Sequence, residues 1–316
     1  MMNFRKELKE RMLVGEGAMG TLLYSNGIDQ CYEELNCTNP DQIESIHRAY
    51  LEAGADILQS NTYGANFNKL KRYGLEDEVS RINRQGVILA KKAAKGKAYV
   101  FGTIGAQRSI RKSDLSMEEI KRGFREQLYS LLMENPDGIL LETFYDLEEL
   151  ETVLQIVKNE TGLPIIANVS MHELGNLQNG IHLNEAFLKL EQLGADVVGV
   201  NCRLGPHHMI RALEEVSLPK QASIAIYPNA SLPDYVDGRL VYKAVPEYFG
   251  SSALELREQG AAIIGGCCGT TPLHIQAVKN AIGSFAPVKE KITKPREIEI
   301  IEVNERELEL PLYEKA

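Results

Sequence analysis

Three cysteines carry the most specific chemistry in this chain. Cys267 and Cys268 are adjacent, within Ala262-Ile-Ile-Gly-Gly-Cys-Cys-Gly-Thr-Thr-Pro272, and Cys202 closes a second apolar run that starts at Asp196. Neighbouring side chains of a regular strand point to opposite faces, so adjacent thiols converge only where the backbone bends. Gly265, Gly266 and Gly269 permit that bend. Three thiolates can hold a zinc ion and leave the fourth tetrahedral position open, as in a catalytic rather than a structural site. Such a centre is a poor Lewis acid toward carbonyls, yet a thiol that coordinates it loses its proton. A free thiol, with a pKa near 8.5, is mostly protonated at neutral pH, so the site suits alkylation of a substrate sulfur.

Blander readings stand beside this one. A buried cysteine commonly serves as a small apolar residue, and three thiols can also form a zinc site with no chemistry. A redox pair at Cys267-Cys268 would need a strained vicinal disulfide, and the chain has no Cys-x-x-Cys. Cys31 and Cys37 fit no zinc-knuckle spacing and read as ordinary small residues. His207 and His208 fall at a helix start, and His172-Glu173 lacks the second histidine of a zincin motif.

The elements that would position these thiols repeat as a short apolar strand, a loop and an amphipathic helix. Strands are expected over 12–16, 55–60, 98–103, 137–142, 164–170, 196–202, 222–227 and 261–265. Helices are expected over about 40–53, 77–95, 117–133, 147–158, 184–193, 206–216, 246–259 and 272–283, several opened by Pro at the first helical position. Strands this apolar fit a parallel sheet covered by helices, and eight such units close a (β/α)8 barrel. An open doubly wound sheet is the runner-up, but no Gly-x-Gly-x-x-Gly follows a strand. The expected organisation is one barrel domain over 1–286 and a charged extension or linker over 287–316, in which 298–303 has strand character. In such a barrel the active site lies at the C-terminal strand ends. Those ends here are Glu16, Asn61, Thr103, Glu142, Ser170, Asn201 with Cys202, Asn229, and Cys267 with Cys268.

A chain of 316 residues with 44% hydrophobic and 25% charged residues can bury a full core. Its net charge of −9 argues against a nucleic-acid or anionic-membrane surface. No apolar stretch approaches a membrane span, and the charged N-terminus does not resemble a signal peptide. A cytoplasmic location is expected, where thiols bind metal more readily than they form disulfides.

Gly15-Glu-Gly-Ala-Met-Gly-Thr21, Asn61-Thr-Tyr-Gly-Ala-Asn66, Gly199-Val-Asn-Cys-Arg-Leu-Gly-Pro206 and Gly265-Gly-Cys-Cys-Gly-Thr-Thr-Pro272 together resemble the homocysteine S-methyltransferase family. The resemblance covers roughly residues 5–285, and its most specific part is Gly-Gly-Cys-Cys-Gly with an upstream Asn-Cys. It implies a barrel in which Cys202, Cys267 and Cys268 hold Zn2+ and homocysteine sulfur takes the fourth place. It further implies that Glu142 receives the substrate amino group and that backbone amides around Gly17, Ala18 and Met19 hold its carboxylate. Asn201 would position substrate or the metal shell. Glu16 matches a further substrate-binding position of the family, where Asp is usual, and its extra methylene displaces the carboxylate from the place an aspartate would occupy.

The resemblance fixes the acceptor better than the methyl donor. Betaine, a quaternary ammonium, favours an aromatic cage with Trp as the best wall, and the chain has no Trp. A self-contained cobalamin enzyme would need further modules and an Asp-x-His motif, which is absent. Two expectations remain: a stand-alone enzyme using S-methylmethionine or S-adenosylmethionine, or the homocysteine half of a larger folate- or cobalamin-linked protein with a fused or separate folate-handling domain.

Overall fold

The computed structural model describes residues 3–28, 30–108 and 115–294; the strand expected over 298–303 lies outside them. Eight strands form one parallel sheet: β1 (Leu13–Val14), β2 (Ile57–Gln59), β3 (Tyr99–Gly105), β4 (Gly138–Phe144), β5 (Ile165–Val169), β6 (Val197–Asn201), β7 (Ser223–Tyr227) and β8 (Ala261–Ile264). Their order is β1-β8-β7-β6-β5-β4-β3-β2, and a bridge between Gly15 and Ile57 joins the two ends. The result is the expected (β/α)8 barrel. Its seam is short, because β1 has two residues, and Asp56 N to Val14 O at 2.7 Å and Glu16 N to Ile57 O at 3.0 Å supply its backbone hydrogen bonds.

The inward and outward faces of the strands bury different partners. Inside, Leu13, Ile57, Phe101, Leu140, Ile166, Val197, Ala225 and Ile263 form one cluster. The N-terminal helix Phe4–Glu10 adds Phe4 and Leu8 to it. Phe4 packs edge-on against Tyr99, with ring centroids 5.4 Å apart, so this helix plugs the bottom of the barrel, opposite the mouth. Outside, the helices cover the strands with a larger apolar cluster. Among the described residues no helix is long and apolar enough to cross a membrane.

Three features depart from the expected elements. β4 runs on to Phe144, with a register shift between Leu141 and Phe144, and Thr143 sits there at φ +61°. The helix opened by Pro206 ends at Leu213, short of 216. The long loop after β7 contains an antiparallel hairpin, Asp234–Val236 with Arg239–Val241. Its turn residues Asp237 (φ 51°) and Gly238 (φ 73°) are both left-handed, the geometry for which Asp-Gly is the strongest short hairpin signal. Beyond the last helix, Pro272–Ile282, the chain runs back along the barrel. The Lys291 ammonium donates to the carbonyls of Leu213 and Val216, and Lys294 N donates to Glu214 O at 2.9 Å.

One buried carboxyl makes the fold sensitive to pH. Glu149, at the start of helix Leu147–Glu160, accepts from Gln107 N at 2.7 Å and Arg108 N at 3.1 Å through one oxygen. Burial pushes its pKa up to about 7, against the pull of those two amides. A carboxyl with a raised folded-state pKa binds its proton more tightly folded than unfolded, so its contribution is present at low pH and is lost as pH rises from about 4.5 to 7. Glu149→Gln keeps the acceptor and discards the charge. The variant is expected to match the wild type near pH 5 and to exceed it by about 1–3 kcal/mol at pH 8; urea unfolding across that range checks this, and a difference independent of pH would contradict it.

Candidate metal and substrate site

The three cysteines converge at the C-terminal mouth of the barrel. Their sulfurs lie within 4.8 Å of one another, and Cys202 Sγ is 3.7 Å from Cys268 Sγ. Cys202 follows β6 and takes a left-handed φ of +64°, held by its N–H bond to Tyr227 O at 3.1 Å. Cys267 and Cys268 follow β8 after two glycines. Cys267 N donates to Pro228 O at 2.8 Å, and Ala230 N donates to Cys268 O at 2.8 Å, so the loop after β7 clamps the pair from both sides.

The glycines give space more than freedom. A methyl group on Gly265 would lie 2.3 Å from the Tyr227 ring, which also occupies the space a side chain at Gly15 would need. Tyr227 is thus wedged from β7 across to the ends of β8 and β1. Gly269, at φ +80°, is the position where glycine is needed for its backbone conformation.

Sulfurs this close ionise as a group. Cys268 is pushed well below the usual thiol range by its hydrogen bonds with Cys202 and then Cys267. Cys267 is pushed well up by its hydrogen bonds with Cys202 and then Cys268. A divalent cation held by all three as thiolates would offset two of their three charges and remove the mutual repulsion of the bare sulfurs. Two sulfurs about 2.3 Å from one zinc at a tetrahedral angle are about 3.8 Å apart, so the 3.7 Å separation fits that ion.

Asn201 links the sulfurs to Glu142. Its Oδ1 accepts from Thr143 N at 2.7 Å, and its Nδ2 donates to Thr143 Oγ1 at 2.6 Å and Glu142 Oε2 at 3.3 Å. The same amide reaches Cys267 Sγ at 4.0 Å. These bonds stabilise Thr143 in its left-handed conformation, which costs a non-glycine residue about 1–2 kcal/mol, and the bend turns Glu142 into the cavity. Burial, and then the charge of Cys268, push the Glu142 carboxyl up to about 8, while Lys69 pulls it down. A cationic group arriving beside Glu142 favours its carboxylate form.

The cavity has a volume of about 570 Å³ and is lined by all three cysteines, Glu142 and the Glu16–Thr21 loop. Ala18 N already donates to Thr270 Oγ1 at 3.0 Å, and the Tyr50 hydroxyl donates to Ala18 O at 2.7 Å. The first-turn amides of helix Gly20–Ser25, which begins after Met19, have no intrahelical acceptor. Glu16 is nearly fully buried; one oxygen accepts from Gln59 N at 2.6 Å and the other lies 3.1 Å from His47 Nδ1. Asn61 lines the cavity, but its amide is tied to Tyr32 O and Asn36 Oδ1. Thr103, Ser170 and Asn229 do not line it. Cys31 and Cys37 lie apart, in a separate cluster with Ala65, Leu70, Val79 and Ile82.

Sequence reasoning missed the aromatic wall of Tyr24, Tyr32, Tyr63 and Tyr145, and Leu240 of the hairpin. Tyr63 lies inside the Asn61–Asn66 motif and Tyr145 follows Glu142 by three residues, so two of the five were within reach. Tyr24, Tyr32 and Leu240 carried no signal beyond residue type.

The fold and site define a (β/α)8 barrel protein with a three-sulfur centre at its C-terminal mouth. A family model described as homocysteine S-methyltransferase matches residues 13–282, and the chain belongs to that family. It is 32% identical over 301 residues to "Methionine synthase" of Mycobacterium tuberculosis, covering 88% of this chain and 25% of that protein. It is 31% identical over 296 residues to "Methionine synthase" of Mycobacterium leprae, covering 87% and 24%. The chain therefore spans about a quarter of the length of the curated relatives it matches. The metallated form of the homocysteine methyltransferase MmuM from Escherichia coli shares the fold at a TM-score of 0.73, with 22% identity, covering 86% of this chain and 96% of that one.

Close packing at Gly265 gives a direct check of the site's architecture. Gly265→Ala is expected to cost about 1–3 kcal/mol through overpacking against Tyr227. Gly162→Ala, at a position with open space around it, serves as the near-neutral comparison. Equal urea midpoints for the two variants would show that Tyr227 yields easily.

Proposed function

We propose that this chain transfers a methyl group to the thiol of homocysteine, giving methionine, at a zinc ion held by Cys202, Cys267 and Cys268. The observation that carries the reading is the three-sulfur cluster beside a cavity that also presents Glu142. When bound, the ion keeps a substrate thiol in its thiolate form at neutral pH. The chain's own residues orient the amino acid. Glu142 meets the ammonium group, and its carboxylate form is favoured by that contact. The loop Gly17–Met19, with the first-turn amides behind it, meets the carboxylate. With Ala18 N committed to Thr270, Gly17 and Met19 are the residues of that loop left for this contact. Asn201 holds Glu142 and Cys267 in fixed relation, so the two ends of homocysteine are gripped at a set spacing.

The donor is a small methylated molecule: S-methylmethionine or S-adenosylmethionine in a stand-alone enzyme, or a methylated folate where other domains take part. The second reading is favoured by the chain spanning only a quarter of its methionine synthase relatives. On that reading residues 1–286 are the homocysteine-binding barrel and 287–316 lead toward a fused or separate folate-handling domain. A cytoplasmic location suits thiols that must stay reduced.

Purified under reducing conditions, the protein is expected to hold one zinc per chain, and Cys268→Ala to lose both metal and activity. Adding homocysteine is expected to change the zinc X-ray absorption from three to four sulfur neighbours; an unchanged spectrum would favour a purely structural zinc. Glu142→Gln is expected to raise the KM for homocysteine about tenfold or more while zinc content stays at one per chain; an unaltered KM would remove Glu142 from the substrate contact. Turnover assays with methylated folate and S-methylmethionine decide the donor.

A further inference from the structure

The loop after β1 and the Cys-Cys turn after β8, which follow neighbouring strands, are fastened to each other by two buried hydroxyls. Thr270 Oγ1 accepts from Ala18 N at 3.0 Å and donates to Cys267 O at 2.7 Å, so one side chain bridges both backbones. The Tyr50 hydroxyl donates to Ala18 O at 2.7 Å and lies 3.2 Å from Thr270 O. A fourth bond, from Gly269 N to Thr21 Oγ1 at 2.9 Å, closes the clasp at the far end of the loop. Tyr50 stands on helix Pro40–Glu52 and is fully buried, and Thr270 is nearly so. A methyl group on Gly17 would lie 2.7 Å from Thr270 Oγ1 and 2.8 Å from the Tyr50 ring, so the loop rests directly on both side chains. Neither residue lines the cavity, whereas Gly17, Ala18, Met19 and Cys267 all do. Whatever Tyr50 and Thr270 do to a substrate, they do through the backbone they hold.

We propose that Tyr50 and Thr270 are positioning residues that fix the distance between the carboxylate-holding loop and the sulfur centre, and through it select homocysteine over the shorter cysteine. The proposal rests on the substrate reading above. The two amino acids carry the same carboxylate, ammonium and thiol groups, and differ by one methylene between the thiol and the carbon that bears the other two. A site whose parts could shift would make all three contacts with either molecule. A site locked at one separation holds the longer molecule at both ends and leaves the shorter one without a contact. One methylene is worth about 10–200-fold in discrimination, but only while the walls that measure it stay in place. With the clasp undone, the loop can follow the shorter substrate inward.

Tyr50→Phe keeps the ring against Gly17 and removes the hydroxyl. It is expected to raise the KM for homocysteine and to lower the ratio of kcat/KM for homocysteine to that for cysteine about tenfold, with zinc content unchanged. Calorimetric titration of the two amino acids into the zinc-loaded protein is expected to show the same narrowing in affinity without turnover. Thr270→Val, which keeps the shape and removes the hydroxyl, is expected to act in the same direction, and Thr270→Ser, which restores the hydroxyl, to return the ratio to that of the wild type. Tyr129→Phe, at a position 48% exposed on an outer helix, is expected to leave the ratio alone. A purely structural clasp would lower the urea midpoint of Tyr50→Phe and leave the homocysteine-to-cysteine ratio at its wild-type value; that result would overturn the proposal. A wild-type protein that binds zinc but neither amino acid would instead overturn the reading on which it rests.

Discussion

Three thiol sulfurs held within 4.8 Å set the terms for the rest of the barrel mouth. They repel as thiolates, and as thiols they leave weak donors in a buried place. The backbone must therefore hold them against their own electrostatics. Cys202 takes a left-handed conformation, which ordinary side chains avoid, and Cys267 and Cys268 are clamped by Pro228 and Ala230. Strand β7, which carries no cysteine, supplies both of those clamps through the loop that follows it, and Tyr227 fills the space beneath. Two cysteine-bearing strands are spaced and braced by the silent strand between them.

How much of this the sequence disclosed follows from the length scale of each signal. The eight strands were legible because parallel strands buried on both faces read as short apolar runs between turn residues. The cysteine trio was legible because adjacent thiols among glycines, at the end of an apolar strand, suit a shared ion better than core packing. What sequence could not carry was contact across the barrel. That Gly265 is needed for the Tyr227 ring, rather than only for a bend, depends on residues 38 positions apart. Asn201 was visible as a neighbour of Cys202, but its grip on Thr143 and Glu142 spans 58 and 59 positions. The Asp237-Gly238 turn was a local signal present in the sequence and passed over inside a segment read as loop.

The strand-end site and the hairpin wall are built differently. Glu142, Asn201 and the sulfurs stand on strand ends that are fixed by ladder hydrogen bonds and a filled core. Such placement leaves these side chains a narrow geometric tolerance. Leu240 and Tyr242 instead stand on a two-stranded hairpin whose residues are exposed or half-buried. A hairpin of that size is marginal by itself, and the residues just after it are pinned: Lys243 N donates to Ser231 Oγ at 3.0 Å, Ala244 N donates to Ala230 O at 3.0 Å, and Ala244 O lies 2.9 Å from His274 Nε2.

Glu16 shows how a departure from a family pattern can be read differently once the fold is known. In sequence, the added methylene reads as a loss, since it displaces a carboxylate from the place an aspartate would occupy. In the barrel, that reach is what lets one oxygen meet Gln59 N at 2.6 Å while the other meets His47. The bond to Gln59 adds a side-chain rung to the seam where β1, two residues long, has little ladder of its own. The Glu16 carbonyl accepts from Gly266 N at 3.0 Å, one residue before Cys267. The same residue thus joins β1 to β2 through its side chain and to the Cys-Cys turn through its backbone. A shorter acid would have to give up the Gln59 bond or draw β2 inward, and either change would reach the sulfurs through Gly266.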